Sequence, residues 1–391
     1  MRQIKSVKVE NFKSLVDFQI DLAKFSCLIG MNGVGKSTVL QFMDFLSQLV
    51  RGDMKGWLKE RKWKSTDLKS KLTRKMNVEF CVRFVDERGE PAGQWEASYS
   101  PSKKRCTLER IDMLDHLLEI RKGKVVEITD LATAKERAYE IAFDYEGSIL
   151  SALKEELLPP SILECKRLLG EIKSLDLLAP EHLRQRTRES SGTLGLGGQN
   201  LSAFLHEMDD GKRIELRERL KEAYPQLQGM LVKPLRSGWK QIEIRESYKG
   251  QESGFSNSMI TEARHINDGM LRLMAILAEL QSENRFLLFD EIENGINPEL
   301  VEFVLDELVT TWQQVMVTTH SPMILNFLDD DVARAGVIYL YKTRDGHTHS
   351  IPFFSIPSLA KKLTVMGPGE AFVDTDLTAL SEEIESITEG Q

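Results

Sequence analysis

Eight consecutive residues, Gly30-Met31-Asn32-Gly33-Val34-Gly35-Lys36-Ser37, fit the pattern G-x-x-x-x-G-K-[ST] without a gap. A short apolar run, Phe25 to Ile29, precedes them, and a helical pattern, Thr38 to Leu49, follows. This is the strand, loop and helix context that a phosphate-cradling P-loop needs. In such a loop the glycines let backbone N–H groups of residues Asn32 to Thr38 converge on phosphate oxygens, and the next helix aims its positive end at them. The expected ligand is ATP with Mg²⁺. Lys36 is expected to reach the β- and γ-phosphates, and the Ser37 hydroxyl to ligate the metal.

Length and charge set the frame for that loop. The 391 residues carry 41% hydrophobic and 29% charged side chains, ordinary values for a water-soluble chain with ample material for a core. The net charge of −8 gives no global attraction to nucleic acid, so any such contact has to be local. Cys27, Cys81, Cys106 and Cys165 are scattered without a C-x-x-C pair, which argues against structural zinc and a disulfide framework. No apolar run approaches the ~20 residues of a membrane span, and no secretory h-region opens the chain, so a cytoplasmic protein is expected.

Ile4 to Val9, Leu15 to Ile20 and Phe25 to Ile29 read as strands leading into the loop, and Asn77 to Val85 as a further strand. From about Leu108 to Tyr224 the pattern reads as mostly helical, with helices expected over Leu131–Phe143, Ser148–Leu158, Ser161–Leu175 and Leu201–Ala223. An α/β pattern then returns. Met270 to Leu280 and Pro298 to Thr310 read as helices, Arg285 to Phe289 and Gln314 to Val317 as buried strands, and Val337 to Phe354 as a hairpin turning at Asp345-Gly346. The expected domains are an N-terminal lobe (1–100), a mainly helical insertion (101–228) and a C-terminal lobe (229–391). From Gly367 on, the tail holds seven acids and no Lys or Arg, with weak helical character at Leu377 to Ile387.

Phe286-Leu287-Leu288-Phe289-Asp290-Glu291 is a buried strand closing on two acids, the Walker B arrangement. Asp290 is expected to hold Mg²⁺ and Glu291 to orient or deprotonate the water that attacks the γ-phosphate. The next β-run closes on Thr318-Thr319-His320-Ser321-Pro322, placing His320 where it could bond the γ-phosphate or that water.

P-loop, paired acids and T-T-H-S-P in this order resemble the ABC-type ATPase heads of the RecF, SMC and OLD-like ATPases, with particular likeness to compact AAA-family ATPases of bacterial defence loci. Glu10-Asn11-Phe12-Lys13-Ser14 adds to the likeness, since those proteins open with an N-F-[KR]-S element, and Lys13 joins the expected nucleotide contacts. The resemblance implies an α/β P-loop NTPase with an ABC-type head, a mixed sheet flanked by helices. It also implies a signature segment at Ile266-Asn267-Asp268-Gly269-Met270, whose helix start caps the γ-phosphate held by another protomer. Asn267 stands where Ser is usual, Ile292 where Pro follows the acids, and no glutamine is identifiable as a Q-loop. The family reading is a homodimer or higher homo-oligomer that sandwiches ATP between heads and controls a separate effector, a nuclease or toxin, in anti-phage defence or DNA maintenance. The alternatives are a slowly hydrolysing ATP-dependent scaffold that clamps DNA or a partner protein, and a transporter's ATPase subunit. With 71 residues after His320, an appended nuclease domain is not expected.

A local anionic partner is also weighed. Arg51 to Lys75 carries ten Lys/Arg against three acids, with Trp57 and Trp63 interleaved. That composition suits DNA phosphates and base stacking, or else a solvated helix whose tryptophans pack on the head.

Overall fold

The computed structural model describes residues 2–121, 124–247, 258–376, 380 and 383–384. β1 (Gln3–Glu10) and β2 (Phe18–Asp21) pair antiparallel, and β3 (Phe25–Ile29) runs through the glycine loop into α1 (Lys36–Arg51) and α2 (Met54–Glu60). β4 (Val78–Val85), β5 (Pro91–Ser100), β6 (Arg105–Asp112), β7 (His116–Arg121), β8 (Val125–Asp130) and β9 (Lys135–Glu140) extend the first pair into an eight-stranded antiparallel sheet.

After α3 (Pro160–Gly170) come β10 (Ile172–Leu175), α4 (Pro180–Leu183), α5 (Leu201–Glu207) and α6 (Asp210–Ala223). A three-stranded antiparallel sheet follows, built from β11 (Leu227–Pro234), β12 (Lys240–Ser247) and β13 (Ser258–Glu262). α7 (Asp268–Leu280), β14 (Phe286–Phe289), α8 (Pro298–Thr310), β15 (Gln314–Thr318), α9 (Asp330–Gly336), β16 (Val337–Lys342), β17 (Thr348–Pro352), α10 (Pro357–Lys362) and α11 (Pro368–Val373) complete the chain.

The sheet that positions the candidate site is ordered β10-β14-β15-β3-β16-β17. Its first five strands are parallel, and only β17 runs antiparallel, as the return of a hairpin. Both faces are covered, which is why β3, β14 and β15 read as unbroken apolar runs rather than alternating ones. Alternate residues still point to opposite sides. Leu28, Phe286, Leu288 and Met316 join the core under the large antiparallel sheet. Cys27, Ile29, Leu287, Phe289 and Val317 join the core around α7 and α8. The parallel sheet is therefore the septum between two cores.

The mostly helical reading of Leu108 to Tyr224 is corrected. Residues 105–140 form four strands, and Leu131–Phe143 holds a turn and edge strand β9. Ser148–Leu158 contains two short 3₁₀ turns, and Ser161–Leu175 divides at Gly170 into α3 and β10. Leu201–Ala223 is helical but broken in two at Met208. Leu15 falls outside β2, which starts at Phe18. Most of the helical stretch expected at Leu377 to Ile387 lies outside the described residues.

Candidate functional site

Parallel strands deliver their carboxyl ends to one edge, where α/β sheets bind ligands. Here β3 leads directly into Gly30, β14 into Asp290 and Glu291, β15 into Thr319 and His320, and β10 into Asp176. Gly30 and Gly35 have φ of +142° and +116°, values that L side chains rarely adopt. A Cβ on Gly35 would lie 2.7 Å from Thr348 Oγ1, and one on Gly30 would press into the Leu340 carbonyl. Gly33 faces open space, and Met31, Asn32 and Gly33 are exposed, so the loop presents its backbone outward as a phosphate cradle requires.

Lys36 Nζ lies 2.8 Å from Gly30 O, 3.2 Å from Met31 O and 3.3 Å from His320 Nδ1. An ammonium only donates, so Nδ1 accepts and the imidazole proton sits on Nε2. That nitrogen faces Glu291 Oε1 at 3.6 Å. Burial lowers the Lys36 pKa, and Asp290, Glu291 and Glu293 work against that shift. The expected lysine, histidine and second acid are thus brought together in a line, Lys36 to His320 to Glu291.

Glu291 itself has a positive φ, +48°, unusual for a residue with a side chain. Its N–H donates to Thr318 Oγ1 at 2.8 Å, and that hydroxyl donates to Asp290 Oδ1 at 2.5 Å. Thr318 thereby fixes both acids at once. Among the described residues, Asp290 Oδ2 and the Ser37 hydroxyl carry no protein hydrogen bond, and no cluster of three or more His, Cys, Asp or Glu side chains suits a metal. One carboxylate and one hydroxyl fit Mg²⁺, which keeps waters and takes phosphate oxygens rather than a full protein cage.

The segment Ile266 to Met270 does begin a helix. Asn267 is the N-cap of α7, its Oδ1 accepting the Met270 N–H at 2.7 Å. Asn serves here as well as Ser would. Asn267 and Asp268 are exposed, and Gly269 packs beside the Gly295 carbonyl. Lys13 Nζ meets Gln41 Oε1 at 2.7 Å, one turn past Ser37, and stands 3.3 Å from the centre of the Trp63 ring. Burial, then Arg61, lowers its pKa to about 8, while the electron-rich ring face favours the charged form.

Sequence reasoning missed five neighbours. Glu293 accepts the His320 N–H at 2.8 Å. Thr318 holds the acids, and buried Thr348 donates to Val34 O at 2.7 Å from behind the loop. Arg272 donates to Glu291 O at 2.6 Å and also to Asn294 O, tying α7 to the loop after β14. Burial lowers its pKa to about 10. A lone arginine in an apolar helix was a readable signal. Asp176 was hidden because β10 was merged into a helix, although Gly170 marks the break.

The basic stretch uses its tryptophans internally. Trp57 is buried, its Nε1 donating to Asp44 at 2.6 Å, and Trp63 packs edge-on against it while facing Lys13 and Arg61. Base stacking by Trp57, one of the expectations for Arg51 to Lys75, does not fit this placement.

Two family models match the chain. Residues 2–88 match an AAA ATPase domain, and residues 247–326 a family described as "AAA domain, putative AbiEii toxin, Type IV TA system". A search of curated proteins returns no match. Among solved structures, an SMC head bound to the C-winged helix domain of ScpA matches with a TM-score of 0.51 at 15% identity, over 89% of this chain and 97% of that one. The SMC head domain from Thermotoga maritima matches at TM-score 0.44 and 11% identity, over 90% of this chain and 98% of that one. A Pyrococcus furiosus SMC head with an extended coiled coil, bound to the C-terminal domain of ScpA, matches at 0.45 and 13%, over 93% and 100%. Among the described residues no helix is long and apolar enough to cross a membrane. The chain has the fold of an SMC- and ABC-type ATPase head, and its residues 2–88 and 247–326 are similar to AAA-family ATPase domains.

Proposed function

We propose that the chain is an ATP-binding and ATP-hydrolysing switch whose heads close in pairs on nucleotide and thereby control a separate effector. The observation that carries this reading is the line from Lys36 through His320 to Glu291, with contacts of 3.3 and 3.6 Å. It joins the phosphate loop to an acid at the neighbouring strand ends. Backbone N–H groups of Asn32 to Thr38 bind the phosphates, and Lys36 leaves its two carbonyl partners for the β- and γ-oxygens. Ser37 and Asp290 would hold Mg²⁺, which supplies charge neutralisation at those oxygens. Glu291 takes the proton of the attacking water, and His320 orients it. Asn267, Asp268 and Gly269 close the site of a second copy.

An effector encoded elsewhere, in anti-phage defence or DNA maintenance, is supported by the toxin wording of the matched family and by the solved SMC head that binds a partner's winged helix. Glu291→Gln should keep ATP binding and stop turnover, whereas Lys36→Ala should lose binding about 100-fold. ATP bound by Lys36→Ala as tightly as by wild type would sink the reading.

A second reading, a slowly hydrolysing scaffold that clamps DNA, is favoured by one surface. A concavity of about 880 Å³ is lined by Arg51, Lys55, Lys103, Lys104, Arg105 and Tyr145, among others. Lys55 pairs with Glu146, but Lys103, Lys104 and Arg105 have no acidic partner among the described residues. Reversing those three charges should weaken duplex binding and flatten its salt slope by about 2 to 3. An unchanged slope removes DNA from this surface.

A further inference from the structure

Beside the amino end of α7, a cavity of about 350 Å³ is lined by Arg184, Arg186 and Arg264, together with Gln241 and Glu262. The three guanidiniums come from two segments far apart in sequence. Arg184 is committed: it donates to Ile266 O at 2.8 Å and pairs with Asp268, so it holds the turn that carries Asn267. Arg186 and Arg264 meet only Glu262, at 3.7 and 3.1 Å, through one nitrogen each. Their other N–H groups have no protein partner among the described residues, and both side chains are more than half exposed. Gln241 is only 4% exposed, donates to Glu243 at 3.0 Å, and leaves its Oε1 without a hydrogen bond. Forked cationic donors beside a buried acceptor match a nucleotide, which offers phosphate oxygens and a ribose hydroxyl.

None of the cavity's lining belongs to the chain's own phosphate loop, to Asp290–Glu293 or to His320. The phosphate loop, in turn, has three acids beside it, Asp290, Glu291 and Glu293. These acids act on Lys36, so a triphosphate seated there gains from further cations supplied on its outer side. We infer that the Arg186 and Arg264 guanidiniums contact, in trans, the nucleotide held by a second copy's phosphate loop, with Arg184 as a positioning residue for the Asn267 turn. This rests on the paired-head reading above.

Mixing variants tests it in full-length chains. Arg186→Ala/Arg264→Ala should bind ATP as wild type does when dilute, yet turn over about 100-fold more slowly. Lys36→Ala alone should be inactive. Mixed in equal amounts, the two should recover about a quarter of the wild-type rate per chain, because half of randomly formed pairs carry one intact composite site. Arg186→Lys/Arg264→Lys, which keeps the charges, should regain part of the loss, and circular dichroism should show every variant folded. If mixing recovers nothing while the wild-type rate per chain rises with protein concentration, the arginines do not act in trans and the inference falls alone. A wild-type rate independent of concentration brings down the paired heads and the inference together.

Discussion

At the scale of single residues, the chemistry depends on small groups that hold larger ones. Thr348 is fully buried, and its one hydroxyl proton goes to Val34 O, so Ser14, 2.8 Å away, donates to it in turn. Replacing it by Val keeps the shape but strands a buried carbonyl and a hydroxyl, at a cost of about 1–3 kcal/mol. Thr348→Val should therefore lower the thermal midpoint and weaken ATP binding several-fold, without altering the residues that touch phosphate. Calorimetry with and without ATP would check both; a variant with unchanged midpoint and affinity would show that the loop stands without this prop. The loop was legible in the sequence because its eight residues are contiguous. Thr348, Thr318 and Glu293 were not, since each acquires its role only when strands distant in sequence come together.

Elements carry the same lesson with a different cause. Leu131–Phe143 reads as a helix because Ala, Lys, Glu and Arg are good helix formers. The chain instead uses the charges of Lys135–Glu140 to guard the exposed edge of a sheet, where they discourage pairing with other chains. Further in, the sheet buries an ionisable clamp. Glu109 on β6 accepts hydrogen bonds from Trp95 Nε1 at 3.0 Å, from Ile149 N at 2.9 Å and from the Ser148 hydroxyl, fastening the sheet to the turn that packs on α1. Burial raises its pKa from 4.5 to about 7, although all three donors favour the carboxylate. The folded state therefore prefers the protonated acid. Its contribution is complete below pH 4.5 and is lost as pH rises to 7, a change of about 3 kcal/mol. Urea midpoints of wild type should fall across that window relative to Glu109→Gln, which cannot titrate. Parallel pH profiles for the two proteins would show that Glu109 does not titrate there. Glu109→Gln should itself be weaker by about 1–3 kcal/mol at low pH, because its amide turns one acceptor into a donor.

Across the whole molecule, the carboxyl edge of the parallel sheet gathers the phosphate loop, the acids and His320. Arg272 on α7, the helix that starts at the exposed cap Asn267, donates to the carbonyls of Glu291 and Asn294. On the paired-head proposal, the phosphate site and the start of α7, joined through Arg272, are two half-sites that two copies related by a two-fold axis would complete at once. Nucleotide bound between them shifts the population toward the closed pair only by its extra affinity for that state. Glu291→Gln, expected to block turnover while leaving the phosphate cradle intact, should therefore accumulate as a dimer in ATP and remain in its starting state in ADP. Sedimentation velocity at several protein concentrations distinguishes the two. The dimer should disappear in Lys36→Ala/Glu291→Gln, which lacks the nucleotide, and in Asn267→Arg/Glu291→Gln, which obstructs the cap. If the Glu291→Gln protein sediments identically in ATP and ADP while still binding both, the heads do not close on nucleotide, and the line from Lys36 to Glu291 serves a site that one chain completes by itself.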